Sequence, residues 1–220
     1  TGGENHLSPR RLGETVASPN FEQPISYYDK RFSIEAVKLL PGQFFVTSQD
    51  KMLVTVLGSC VAACLFDPTT GIGGMNHFML PTVNKSAGEF EKAQGMAAKY
   101  GVHAMEILIN ELVKVGAKKE RLKAKVFGGG KVVPSFVQND VGKFNAEFVT
   151  QFLEIEGIPI LASDLCDMYA RKVYFFPSNG KVLMKRIHEL NNATIIERES
   201  QHRWELSKQA PSGSVDLFED

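Results

Sequence analysis

The run MLVTVLGSCVAACLFDPTTGIGGMNHFMLP, from Met52 to Pro81, constrains this chain more than any other part of it. Leu53 to Leu57 are apolar and β-favouring and read as a buried strand. Gly58 permits a sharp turn, Ser59 is a residue type that caps helices, and Cys60 to Leu65 reads as a short apolar helix. Asp67-Pro68 ends that helix, Thr69-Thr70-Gly71 is a turn, and Ile72 to Leu80 returns as a second strand. Cys60 is therefore expected where a strand breaks into a helix, with His77 on the strand that comes back.

That placement has a chemical consequence. The first turn of a helix carries unpaired N–H groups and the positive end of the peptide dipole, which favours a thiolate and lowers its pKa. The N–H groups around Gly58, Ser59 and Cys60 could hold a developing oxyanion. His77 could take the thiol proton, and the hydroxyl of Thr55 could orient the imidazole. A plainer reading stays open beside it: a cysteine in an apolar run is often a small core residue, and a histidine on a strand is often a hydrogen-bonded one. Cys64, one helical turn after Cys60 on this reading, is expected to fill core rather than to act as a resolving thiol.

LGSCVAACLFDP followed by GGMNHFMLP strongly resembles the bacterial chemoreceptor glutamine deamidase family, CheD. The resemblance runs from about Tyr27 to Arg186. It takes in YYDKRF, VKLLPGQFFVT, KVFGG at Lys125 to Gly129, EGIPI at Glu156 to Ile160, and RKVYFFPSNGKVLMKRI from Arg171. In that family a Cys, a His and a Thr form the catalytic set, which carries over onto Cys60, His77 and Thr55. The resemblance implies a layered α/β sandwich with mixed sheets, similar also to certain deamidating bacterial toxins. It implies hydrolysis of glutamine side-chain amides on the helical cytoplasmic domains of chemoreceptors, with no cofactor and no metal. Some members of the family also bind a CheC-type phosphatase, which the resemblance makes a second candidate partner. One segment departs from the family. Cys166-Asp167 and Ala170 stand where glycines are usual, which puts the shape of that loop in question.

Composition bounds the alternatives. Hydrophobic residues at 43% and charged residues at 23% suit a globular chain with a substantial core. Lys+Arg 25 against Asp+Glu 25 argues against nucleic acid or a membrane surface as the main partner. No apolar run approaches the roughly 20 residues that span a bilayer, and no charged start leads into an apolar stretch. Three cysteines, an odd number, suggest no disulfide framework and fit a reducing cytoplasm. The spacing of Cys60 and Cys64 is not that of a zinc knuckle.

Along the chain, residues 1–24 read as a flexible arm, 25–190 as the catalytic domain, 191–208 as a helix packed on it, and 209–220 as a flexible acidic tail. Ile34 to Leu40 and Phe44 to Val46 read as strands. Thr82 to Gly88 reads as a loop beside the site. Met105, Leu108, Ile109 and Leu112 mark one helix face, ended by Gly116 and beginning near Glu89 or near Tyr100, since Gly95 and Gly101 weaken its middle; His103 is expected to be structural or exposed. Leu122 to Phe127 reads as a strand running into Gly128-Gly129-Gly130. That triplet fits neither a Walker nor a dinucleotide pattern, and is expected to let backbone pass close to the catalytic elements. Phe144, Phe148, Phe152 and Ile155 mark a second helix face, starting near Asn139-Asp140 and closed by Gly157. Asn145 matches a family asparagine of unassigned role. Ile158 to Leu161, Arg171 to Phe176 and Lys181 to Ile187 read as strands, the last two joined by a Pro177–Gly180 turn. The irregular alternation with hairpins predicts an α+β arrangement with mixed, largely antiparallel sheets. A receptor- or phosphatase-binding adaptor with little catalysis, and a cysteine peptidase or transglutaminase-like enzyme, are the rival readings.

Overall fold

The computed structural model describes residues 14–16, 23–81, 87–132, 141–187 and 193–208. Most of the loop expected after Pro81, the acidic tail and most of the expected arm lie outside the described residues. The strands are β1 (Glu14–Val16), β2 (Ile25–Asp29), β3 (Ile34–Lys38), β4 (Phe44–Thr47), β5 (Met52–Leu57), β6 (Val61–Asp67), β7 (Ile72–Asn76), β8 (Lys123–Gly128), β9 (Ile160–Leu165), β10 (Ala170–Phe176) and β11 (Lys181–Ile187). The helices are α1 (Ala87–Val115), α2 (Val141–Ile155) and α3 (Ala193–Lys208).

Two mixed sheets form. One has the order β1-β4-β7-β6-β8-β9 and the other β11-β10-β5-β3-β2. Only the β3/β5 and β8/β9 neighbours run parallel; the rest are antiparallel. The layering follows from the two faces of β6. Val61, Ala63 and Leu65 point to a core shared with Met105, Leu108 and Leu112 of α1 and Val149 and Leu153 of α2. Ala62, Cys64 and Phe66 point the other way, to a core shared with Leu53 and Leu57 of β5 and Val173 and Phe175 of β10. α1 and α2, the first sheet and the second sheet make a three-layer sandwich, an α/β fold.

This burial turns one expected helix into a strand. Cys60 to Leu65 is not a helix; Val61 to Asp67 is a strand, every residue of it buried. A strand covered on both faces has no polar alternation, so its apolar run cannot be told from a buried helical segment by periodicity. The returning strand β7 stops at Asn76, and Phe78 makes only an isolated bridge to Val61. The helix containing Met105 starts at Ala87, beside the earlier of its two expected starts. A Cβ on Gly101 would lie 2.5 Å from the Phe148 ring, so this glycine admits α2 rather than breaking α1. Gly116, at φ +116°, ends α1 as expected. On α2 the expected face is displaced: Phe144 and Ile155 are exposed, and Val141, Asn145, Ala146, Val149, Phe152 and Leu153 are buried.

Candidate active site

The turn Gly58–Cys60 between β5 and β6 is held by backbone from the glycine triplet and by a side chain of α2. Gly129 donates its N–H to the Cys60 carbonyl at 2.8 Å, and Gly130 donates to the Gly58 carbonyl at 2.7 Å. Gly128 has φ +115°, and a Cβ on it would lie 2.1 Å from the Cys60 oxygen, so the triplet does bring its backbone against this turn. Asn145, fully buried on α2, donates from Nδ2 to the Ser59 carbonyl at 2.8 Å and accepts at Oδ1 from the Leu80 N–H at 2.8 Å. This side chain ties the cysteine turn to the segment that follows His77, a role that its family resemblance left unassigned.

His77 follows β7 directly and is held at both backbone ends. Its N–H donates to the Gln43 carbonyl at 2.9 Å, and its carbonyl accepts from Gly42 at 2.7 Å. Its Nδ1 lies 2.8 Å from Thr55 Oγ1, and Thr55 donates its own hydroxyl hydrogen to the Leu39 carbonyl at 3.0 Å. The hydroxyl has one hydrogen, already given to Leu39, so it receives the Nδ1–H. That leaves Nε2 as the unprotonated nitrogen, and it is buried without a hydrogen-bond partner among the described residues. Burial first, then the nearby His202, lowers the imidazole pKa to about 3, against the pull of a hydrogen bond to the Leu39 carbonyl. The ring is thus a neutral acceptor aimed into the site.

Cys60 is fully buried. Its Sγ, a ring nitrogen of His77 and a carboxylate oxygen of Glu199 all lie within 4.8 Å of one another. Glu199 comes from α3, and its carboxylate fills the concave side of the turn. Oε1 accepts from the N–H of Gly58 at 2.8 Å and of Cys60 at 3.2 Å; Oε2 accepts from Ser59 N–H at 2.9 Å and Ser59 Oγ at 2.7 Å. The three N–H groups around Gly58 and Ser59 do converge on one spot, but they come from a turn and not from a helix terminus. The expected lowering of the thiol pKa is also overturned. Burial pushes the thiol well up, and the Glu199 charge and its hydrogen bond to the thiol push it further; Arg203 of α3 acts weakly the other way. Tyr100 of α1 is pushed up to about 12 by burial and by the nearness of Cys60.

Three of these side chains could serve as metal ligands, but the carboxylate already spends both oxygens on turn donors. Cys64 lies in the core between the sheets, with burial raising its pKa. His103 is exposed on α1. In the departing loop, Cys166 and Asp167 have φ +62° and +69°, so the chain keeps the left-handed backbone that glycines would adopt there. Arg171, fully buried, closes that loop by donating to the Cys166 and Tyr169 carbonyls and to Asp164.

Fold and site together define an α/β/β sandwich that presents a thiol, a neutral imidazole and a nest of N–H groups at one turn. A family profile described as CheD chemotactic sensory transduction matches residues 79–186. The chain is 52% identical over 192 residues to a protein of Dechloromonas aromatica named probable chemoreceptor glutamine deamidase CheD 1, covering 87% of this chain and 93% of that one. It is 50% identical over the same shares to a protein of Herminiimonas arsenicoxydans, and 48% identical to one of Laribacter hongkongensis over 94% of this chain and 99% of that one. Both of these are named probable chemoreceptor glutamine deamidase CheD. This chain belongs to the CheD family. The profile match begins just after His77, whereas a match of 192 residues, wherever it begins, takes in Thr55, Cys60 and His77.

Proposed function

We propose that this chain hydrolyses glutamine side-chain amides of chemoreceptors to glutamate, with release of ammonia, and that Cys60 is the nucleophile. His77 Nε2 takes the thiol proton as Sγ bonds to the amide carbon. The amide oxygen, now an oxyanion, sits against the N–H groups of Gly58 and Cys60. His77 returns the proton to the amide nitrogen, the C–N bond breaks, and ammonia leaves a thioester on Cys60. His77 then takes a proton from water, the hydroxide adds to the thioester carbon, and the C–S bond breaks; His77 returns its proton to the departing sulfur, leaving glutamate and the free thiol. Thr55 keeps Nδ1 protonated throughout, so that Nε2 is always the working nitrogen.

The observation that carries this reading is the meeting at one turn of Cys60 Sγ, a His77 ring whose free nitrogen is Nε2, and three N–H groups already holding a carboxyl group. The substrate glutamines are those of the helical cytoplasmic domains of receptors, and the chain works in the cytoplasm; no described helix is long and apolar enough to cross a membrane. A CheC-type phosphatase as second partner rests on the family resemblance, and co-purification tests it. Incubation with a receptor cytoplasmic fragment tests the reaction class. Glutamines gaining about one dalton with matching ammonia are expected. Chain cleavage or cross-linked products would instead mark a peptidase or a transglutaminase.

A further inference from the structure

Glu199 is the residue the proposed reaction would make. It is a glutamate on a helix, and its carboxyl group lies where the proposed chemistry places the carboxyl group of a newly formed glutamate. Four hydrogen bonds fix it there, all from Gly58, Ser59 and Cys60. Gly58 is shaped around it: a Cβ on Gly58 would come 2.9 Å from each carboxylate oxygen. The Cys60 thiol is turned to the carboxylate, while His77 Nε2 is left without a hydrogen-bond partner among the described residues.

Among the described side chains of α3, Glu199, His202 and Leu206 are buried, at the i, i+3, i+7 spacing of one narrow face. Arg198, Ser200, Gln201 and Trp204 are exposed. A buried carboxylate on such a face is an unusual anchor, because its desolvation must be met in full by the groups it touches. Here the turn's N–H groups meet it.

Resting on the deamidase reading, we propose that α3 occupies the seat of the substrate helix, with Glu199 in the place of the product side chain. The chain then holds its own site in a product-bound state, and a receptor helix gains entry by displacing α3. The donor set favours product over substrate. A carboxylate accepts at both oxygens, whereas an amide offers one oxygen and an NH2 group that cannot accept from the Ser59 N–H. A receptor glutamate, once formed, is therefore readily replaced by Glu199, which is always at hand on the same chain.

The variant Glu199→Gln turns the occupant into a substrate without changing its shape. In the full-length variant, the introduced glutamine should be converted back to glutamate, read as a gain of about one dalton on the α3 peptide that carries it. In the double variant with Cys60→Ala, that glutamine should persist. The same Glu199→Gln preparation is given a receptor cytoplasmic fragment. If the introduced glutamine persists while receptor glutamines are converted, α3 does not lie in the substrate seat, and the deamidase reading survives. If neither is converted, the deamidase reading fails and takes this inference with it. Conversion on α3 that survives loss of Cys60 is spontaneous hydrolysis and overturns the inference.

Discussion

The imidazole tautomer is fixed by a single hydrogen. Thr55 gives its hydroxyl hydrogen to Leu39, so its oxygen accepts from Nδ1, and Nε2 is left to act. Thr55→Val removes that acceptor while keeping the shape of the side chain. Its deamidation rate should fall about 10- to 100-fold, and Thr55→Ser should recover most of it. Equal rates for the two variants would mean the hydroxyl only fills space. That Cys60, His77 and Thr55 come together was legible in the sequence, because one short run carries them and the family resemblance of that run singles them out. Glu199 was not. It reaches the turn from 139 residues away, on a helix whose sequence looks like ordinary solvated surface, and no local pattern announces a buried carboxylate. The rise in the thiol pKa is hidden from the sequence for the same reason, since both the burial and the opposing charge arrive from distant parts of the chain.

Among the elements, α3 decides whether the thiol is reactive. Glu199→Ala removes the charge and the hydrogen bond that hold the thiol protonated, and it loosens the helix covering the turn. Cys60 in that variant should alkylate about tenfold faster than in the wild type, with its pH profile moved to lower pH. Deamidation of a receptor fragment should quicken in step. Trp204, the chain's single tryptophan, lies on α3 and reports its release by fluorescence. Unchanged alkylation, with the protein folded, would mean that α3 does not guard the site. The strand β6 shows why part of the fold was hidden. A half-buried strand exposes every second residue, as β11 does from Lys181 to Lys185. A strand between two layers is apolar throughout, and only the finished sandwich reveals which it is. The glycine triplet was legible because its failure to match any phosphate-binding pattern left close backbone approach as its use, and Gly128 and Gly129 make that approach.

Over the whole molecule, burying His77 as a neutral ring makes stability depend on pH. The unfolded imidazole titrates near 6.5 and the folded one near 3, so between those values the unfolded chain holds more protons. Stability therefore falls as pH drops through this window, by about 2 kcal/mol for this group between pH 7 and pH 5. His202, also lowered by burial, acts in the same direction. Urea unfolding at the two pH values should show the loss, and His77→Gln should make the dependence shallower; an unchanged slope would mean that the ring protonates freely in the fold. The three layers were foreseeable only as a mixed α/β sandwich, since which strands pair is set by contacts far apart in sequence, such as β5 beside β10. The function proposed for the molecule comes down to Cys60 and His77 acting together. Initial rates of glutamine-to-glutamate conversion on one receptor cytoplasmic fragment, for wild type, Cys60→Ala and His77→Ala, test it most directly. Both variants should remain folded and convert nothing measurable above the uncatalysed background; conversion by Cys60→Ala at the wild-type rate would contradict it.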